Sequence, residues 1–268
     1  MNRAREIEKS IIKKYRKSIW GRFIKGIKEF QLIEDGDKIA VCISGGKDSF
    51  LLAKCLEEFK RHGLINFELV YLVMNPGYKD EHLKKIKENA SLLEIEITIF
   101  NSKIFDIVDN QSNASPCYLC ARMRRGALYS EAKKLGCNKI ALGHHFNDII
   151  ETIMLNVLYA GQYKSMMPKI KSTNYEKMEL IRPLYYVHEK DIIAWTKYNN
   201  LDFINCACRV TEKKVDSKRR EIKELIETLK KSNENVDISI LRSAENVNID
   251  AVVAYKKNGS NVNFLDDF

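Results

Sequence analysis

The chain has 268 residues, with 45 Lys and Arg against 36 Asp and Glu, a formal net charge of +9, 45% hydrophobic and 30% charged residues. These values exclude a disordered chain and a small disulfide scaffold, and the length suits one large α/β domain with additions. No apolar run is long enough to span a bilayer, and the highly charged opening residues lack the apolar block of a secretory signal, so a soluble cytoplasmic protein with no membrane partner is expected.

Residues 2 to 30 are predicted to be helical, because Ile7, Ile11, Ile12, Tyr15, Ile19 and Phe23 recur at three- and four-residue steps. Residues 1 to 30 hold ten Lys or Arg against three Glu. On its own such a helix is as well explained by a solvated face as by nucleic acid. After the breaker "EDGDK", "KIAVCI" reads as a strand and "DSFLLAKCLEEFKRHG" as a helix closed by Gly63. "FELVYLVMN" is a second strand, "PGYKDEHLKKIKENASLLE" a turn and helix, and "IEITIF" a third strand. A helical stretch near "KIFDIVDN", helix "YLCARMRRGALYSEAKKLG", strand "NKIALG" and helix "NDIIETIMLNVLYAG" follow. Residues 161 to about 186 look irregular, and helices are expected at 189–199, 212–231 and 236–246. The alternation of strand and helix predicts a parallel sheet covered on both faces, with the strand order 3-2-1-4-5 assumed.

Between the first strand and its helix stands "SGGKDS". A Gly-rich turn leading into a helix presents bare amides and a partial positive charge, a cradle for an anion. The Walker A spacing is absent, and the tight turn suits a pyrophosphate group. Ser44, Gly45, Gly46, Lys47, Asp48 and Ser49 are the candidate nucleotide-binding residues. A plain helix cap would explain a lone pair of glycines, but not this crowding of polar groups.

"GHHFND" leaves the fourth strand, and with the assumed order it meets the first loop in one cleft. That cleft would hold Gly45, Gly46, Lys47, Asp48, His144, His145, Asn147, Asp148 and Glu151, with Gly143 at its edge. Asp148 and Glu151, at i,i+3 spacing, could hold Mg²⁺ on a nucleotide; simple capping by Asp148 is the competing reading.

Of seven cysteines, Cys42, Cys55 and Cys137 lie in apolar surroundings and read as packing. "PCYLC" sets Cys117 and Cys120 three apart, and "NCAC" supplies Cys206 and Cys208. Structural zinc and an iron–sulfur cluster held by three cysteines both fit this spacing, with a redox CxxC as a third reading. Arg122, Arg124 and Arg125 follow the first pair and are candidate contacts for a phosphate backbone.

"SGGKDS", "PCYLCARMRRGALY", "GHHFNDIIET", "IRPLYYVHEKDI" and "NCAC", in this order, resemble the tRNA 2-thiocytidine biosynthesis family of the PP-loop ATP-pyrophosphatase superfamily, over roughly residues 15 to 248. The resemblance implies an HUP-type PP-loop α/β fold, with the loop taking the pyrophosphate end of ATP. It implies an ATP-dependent tRNA sulfurtransferase that adenylates C2 of an anticodon-loop cytidine and replaces oxygen by sulfur. Lys47, Asp48 and Asp148 would be catalytic, with Mg²⁺ assisting. A [4Fe-4S] cluster on Cys117, Cys120 and Cys206 would serve as cofactor. Partners would be tRNA and a sulfur donor, either a cysteine desulfurase system or sulfide, and a homodimer is allowed. Two positions depart from the family pattern: Asn147 stands where HHxDD has a carboxylate, and Cys206 and Cys208 form CxC in place of CxxC. The expected organisation is a basic helical segment at 1–35, a PP-loop domain at 36–205 and a helical segment at 206–268. A PP-loop 2-thiouridine synthase is the alternative enzyme, and a non-catalytic zinc protein that binds RNA the alternative class.

Overall fold

The computed structural model describes residues 2–63, 65–102, 104, 116–204 and 216–266, and of residues 116–122 and 216–217 the backbone alone. The chain opens with α1 (Arg3–Ile12), a π-helical turn (Arg16–Trp20) and α2 (Gly21–Glu29), where the sequence predicts one continuous helix. The break has a visible cause. The Tyr15 amide donates to Ser10 O at 3.0 Å and the Trp20 amide to Tyr15 O at 3.2 Å, so the turn is one residue wider than an α-helix. Ile7, Ile11, Tyr15, Ile19, Phe23 and Ile27 are all buried, while nearly every basic side chain of the segment is exposed.

Next come β1 (Lys38–Cys42), α3 (Lys47–His62), β2 (Glu68–Asn75), α4 (Asp80–Leu92) and β3 (Ile97–Asn101). They are followed by α5 (Pro116–Lys134), β4 (Lys139–Ala141), α6 (Phe146–Ala160), β5 (Lys169–Lys171), β6 (Glu179–Ile181) and α7 (Glu189–Tyr198). The helical stretch expected near residues 103–110 falls, apart from Ile104, outside the described residues.

The sheet order is β3-β2-β1-β4-β6-β5, parallel except for the last pair. The first four places match the assumed order. The segment read as irregular, residues 161 to 186, instead supplies the two outer strands. Each has three residues, too few to show a period of two, and β5 lies at the edge with mixed burial.

Alternate residues of β1 serve opposite layers. Ile39 and Val41 join the large cluster with α1, α2, α3 and α7, and Ala40 and Cys42 join a smaller one with Tyr129 and Ala132 of α5. Phe50, Phe203 and Trp195 stack in the large cluster, with centroids 5.2 and 6.4 Å apart. Each such fully buried side chain contributes about 1.5–3 kcal/mol. The N-terminal helix is also tied by charge, since Arg61 reaches both Glu8 and Glu58 at 2.7 Å and Lys54 comes within 4.0 Å of Glu8. Cys42, Cys55 and Cys137 are buried, and burial pushes each thiol up, Cys42 to about 12, so they pack as small hydrophobes.

The chain divides into two compact units. The first, residues 1–149 and 166–219, holds the sheet with α1 through α5 and α7. The second, residues 150–165 and 220–268, holds most of α6 and of α8 (Asp216–Lys230), together with α9 (Val236–Glu245) and the hairpin β7 (Ala254–Lys257) and β8 (Ser260–Asn263). Ile150, Ile153, Ile222, Ile226 and Leu241 are its buried apolar residues, and Lys230 pairs with Asp237 at 3.1 Å. Among the described residues no helix is long and apolar enough to cross a membrane.

Candidate active site

β1 and β4 are neighbours, with Val41 beside Ala141, so the loops that follow them leave adjacent strand ends. In an open parallel sheet this is where ligands bind. Gly45 takes φ +91°, which an L side chain rarely adopts, and a Cβ there would meet Ile86 Cγ1 at 2.8 Å. Gly143 is excluded from change by contact instead: its Cβ would lie 3.1 Å from Asp48 C and Ser49 N. The two loops therefore touch backbone to backbone. Ser49 locks the first turn, donating from its hydroxyl to Gly46 O at 2.9 Å while its oxygen accepts the Ser44 amide at 3.2 Å. The Gly46 cap makes no side-chain bond to α3, which leaves the opening amides of this 16-residue helix to a ligand.

A cavity of about 430 Å³ opens beside these loops, within the ordinary range for small-molecule sites. Its polar wall includes Ser44, Asp48, Ser49, Gly143, His144 and Asp148, together with Arg124 and Arg125 from α5. Its floor is apolar, with Cys42, Leu72, Met74, Leu128 and Leu142. Gly46 and Lys47 line a smaller neighbouring cavity of about 180 Å³. Lys47 Nζ sits 3.2 Å from Asp48 and 3.3 Å from Glu189.

His145 is buried between the two carboxylates, Nδ1 at 3.4 Å from Asp148 and Nε2 at 3.8 Å from Asp48. Burial pushes the Asp48 carboxyl up against the pull of His145 and Lys47. Asp148 goes the other way: burial would raise it, but His145, His144, Arg219 and the His145 amide together hold it below the usual carboxylate range. Arg219 approaches Asp148 to 3.4 Å. Asn147 accepts the Glu189 amide at 2.9 Å, a helix-capping role that an amide oxygen fills as well as a carboxylate and without a second charge beside Glu189.

Burial lowers His144 to about 4 from 6.5, aided by Arg182 and Arg219 and opposed by Asp148, so its ring is neutral at pH 7. Its folded pKa lies below its unfolded one. The stability that this gives is therefore complete above pH 6.5 and is lost as pH falls towards about 4. The melting temperature of the wild type should fall more steeply across that window than that of His144→Gln. Equal slopes would contradict the assignment.

The described candidates of the two loops within the first unit are brought to this strand end; Glu151 is buried and belongs to the second unit. The side chains of Cys117, Cys120 and Arg122, and all of Cys206 and Cys208, lie outside the described residues. Two described neighbours bear on them. Arg124, which lines the cavity, stands one helical turn after Cys120 on α5, and the Ile204 amide, two residues before Cys206, donates to Gly45 O at 3.2 Å. Sequence reasoning missed Glu189, Tyr78, whose hydroxyl accepts from Arg124 at 2.9 Å, Arg182 and Arg219. Glu189 and Arg182 both lie in the segment "IRPLYYVHEKDI", so the motif was visible but not its roles.

A glycine turn on a strand end, a helix start free for an anion and a nucleotide-sized cavity define a nucleotide-binding α/β domain. The family model for the PP-loop domain matches residues 21–229. Curated relatives named tRNA-cytidine(32) 2-sulfurtransferase include one from Citrifermentans bemidjiense, 40% identical over 231 residues, covering 85% of this chain and 90% of the relative. Another, from Geobacter metallireducens, is 38% identical over 241 residues, covering 88% and 91%. Among solved structures, the U34-tRNA thiolase NcsA from Methanococcus maripaludis with its [4Fe-4S] cluster is similar in fold, with a TM-score of 0.68 at 22% identity, over 84% of this chain and 76% of that one. The chain belongs to the tRNA-cytidine(32) 2-sulfurtransferase family of PP-loop proteins.

Proposed function

We propose that the protein is an ATP-dependent tRNA sulfurtransferase that converts an anticodon-loop cytidine to 2-thiocytidine. The observation that carries this reading is the joining of the SGGKDS and GHHFND loops in one nucleotide-sized cavity, in a chain 40% identical to proteins of that name. The 2-thiouridine alternative is not favoured, because the relatives carry the cytidine name.

A cytosine C2 oxygen is a poor leaving group. In the first step it bonds to the α-phosphorus of ATP while the bond to the β-phosphate breaks and pyrophosphate leaves. The amides of Gly46, Lys47 and Asp48 at the start of α3, with Ser44, Ser49 and the Lys47 ammonium, are the groups to hold that pyrophosphate, and Gly143 and His144 complete the ATP site. Lys47 is held ready between Asp48 and Glu189. In the second step sulfur, entering as hydrosulfide or its equivalent from a donor system, bonds to C2 and AMP leaves as a phosphate ester. Arg122, Arg124 and Arg125 are assigned to the substrate phosphates, and the exposed basic residues of the N-terminal segment to the tRNA body.

Mg²⁺ on the triphosphate belongs to this reading. Asp48 and Asp148, two carboxylates bridged by His145 at the cavity wall, are the hard oxygen donors it requires. Cys117, Cys120 and Cys206 are assigned to a [4Fe-4S] cluster. Burial raises the Cys42, Cys55 and Cys137 thiols and makes them poor thiolate ligands, which leaves Cys117, Cys120, Cys206 and Cys208; the family resemblance assigns the first three of these to the cluster. When bound, the cluster would present an open iron for sulfur. A cytoplasmic setting and assembly as a homodimer complete the proposal.

The test is pyrophosphate release under anaerobic conditions. It should require tRNA and fall by about a hundredfold or more in Lys47→Ala, as when one charge-stabilising donor is removed. Release that is independent of tRNA, or unaltered in Lys47→Ala, would refute the reading.

A further inference from the structure

Arg182 follows β6 and is only 5% exposed, yet among the described residues no carboxylate pairs with it. One guanidinium nitrogen donates to Met167 O, and Nε is buried without a hydrogen-bond partner. A buried guanidinium with no counter-charge is strongly unfavourable, and native proteins seldom keep one without an anion to meet it.

The register shows where that anion belongs. Ala141 pairs with Ile181 and the Leu142 amide donates to Ile181 O at 3.0 Å, so Arg182 stands beside Leu142, where β4 runs into Gly143 and His144. In a parallel pair, residues in register share a face, and Leu142 packs with the cluster under α5. That is the face on which Arg125 and Tyr129 lie, and burial together with repulsion from Arg125 lowers Arg182 to about 10, still charged at pH 7. Arg125 lines the cavity and makes no ion pair among the described residues. His144, on the same wall, has its Nδ1 buried with no partner. Three nitrogen groups, two of them with a buried nitrogen that has no hydrogen-bond partner, thus converge on a wall where the nearby carboxylate, Asp148, attracts Arg182 and His144 but also faces His145 and Arg219.

We propose that Arg182, Arg125 and His144 form a second anion site at the ends of β4 and β6, which holds a phosphate ester, separate from the pyrophosphate site on the glycine loop at the end of β1. This rests on the adenylation reading given above. Two phosphate esters are available in that chemistry: the α-phosphate that becomes AMP, and the backbone phosphate of the target nucleotide. Holding the first would stabilise AMP as it departs, because the bond from C2 to oxygen breaks as negative charge gathers on that phosphate.

The experiment measures binding of AMP, pyrophosphate and unmodified tRNA to the wild type and to Arg182→Met, Arg182→Lys and Arg125→Met. For Arg182→Met, AMP affinity should fall at least about tenfold, the loss of a charge-assisted contact, with pyrophosphate affinity within about twofold and Arg182→Lys intermediate. The ligand-free Arg182→Met protein should melt no lower than the wild type, because it sheds an uncompensated buried charge. A tenfold loss of tRNA affinity with AMP unchanged also supports the site and assigns its phosphate to the tRNA backbone. Unchanged AMP and tRNA affinity in Arg182→Met and Arg125→Met, or a lowered melting temperature alone, would overturn the proposal. Failure of the wild type to bind pyrophosphate would instead count against the glycine-loop reading.

Discussion

Gly45→Val is expected to reduce ATP-dependent pyrophosphate release by about a hundredfold or more, because it displaces the amides proposed to bind the anion rather than one side chain. Two separate obstacles act at this position. The residue sits at φ +91°, a conformation that costs a side chain about 1–2 kcal/mol, and its Cβ would press on Ile86 at 2.8 Å and on Ile204 at 3.2 Å. Ile86 is fully buried and cannot swing aside. The turn must therefore move, and with it the start of α3 and the bond from the Ile204 amide to Gly45 O. Gly126 provides the control, since it lies in α5 and a Cβ there meets nothing within 4 Å. Gly126→Ala should keep activity and gain about 0.5–1 kcal/mol of stability from helix propensity. Pyrophosphate assays with urea unfolding of both variants check this, and a fully active Gly45→Val would contradict the loop's role.

The second large effect concerns the cysteines. Single replacement of Cys117, Cys120 or Cys206 by Ala should remove the iron and the visible absorption of anaerobically purified protein, and lower thiolation by about tenfold or more. ATP binding should survive, because the loop proposed to hold the nucleotide is built from β1, α3 and Gly143 rather than from these residues. Cys208→Ala should keep the cluster. If it loses iron while Cys206→Ala retains it, the third ligand is Cys208, and stoichiometric zinc in the anaerobic protein would reject the cluster altogether.

What could be seen in the sequence was what is local. The SGGKDS turn, the helix ended by Gly63 and the apolar β1 follow from composition over a few residues, and all are present. The meeting of the two loops depended on strand order, which the period of a sequence does not carry; the pairing of β1 with β4 supplied it. β5 and β6 escaped notice because three residues make no pattern, and β6 is held by parallel pairing to β4 instead of by its own propensity. The π-helical turn was hidden for a similar reason, since one inserted residue barely disturbs the spacing of Tyr15, Ile19 and Phe23. The Asn147 cap and the grip of Glu189 on Lys47 are long-range facts that join elements distant in the chain, and that no described carboxylate pairs with the buried Arg182 is likewise visible only in the fold.

This chain is proposed to put sulfur on C2 of a cytidine in tRNA. The most direct measurement is nucleoside analysis of tRNA from cells with and without the intact gene, followed by addition of the purified protein with ATP, Mg²⁺ and sulfide under anaerobic conditions. 2-Thiocytidine should disappear with the gene, return with the wild-type protein and fail to return with Lys47→Ala. Unchanged 2-thiocytidine together with loss of 2-thiouridine would contradict the proposal.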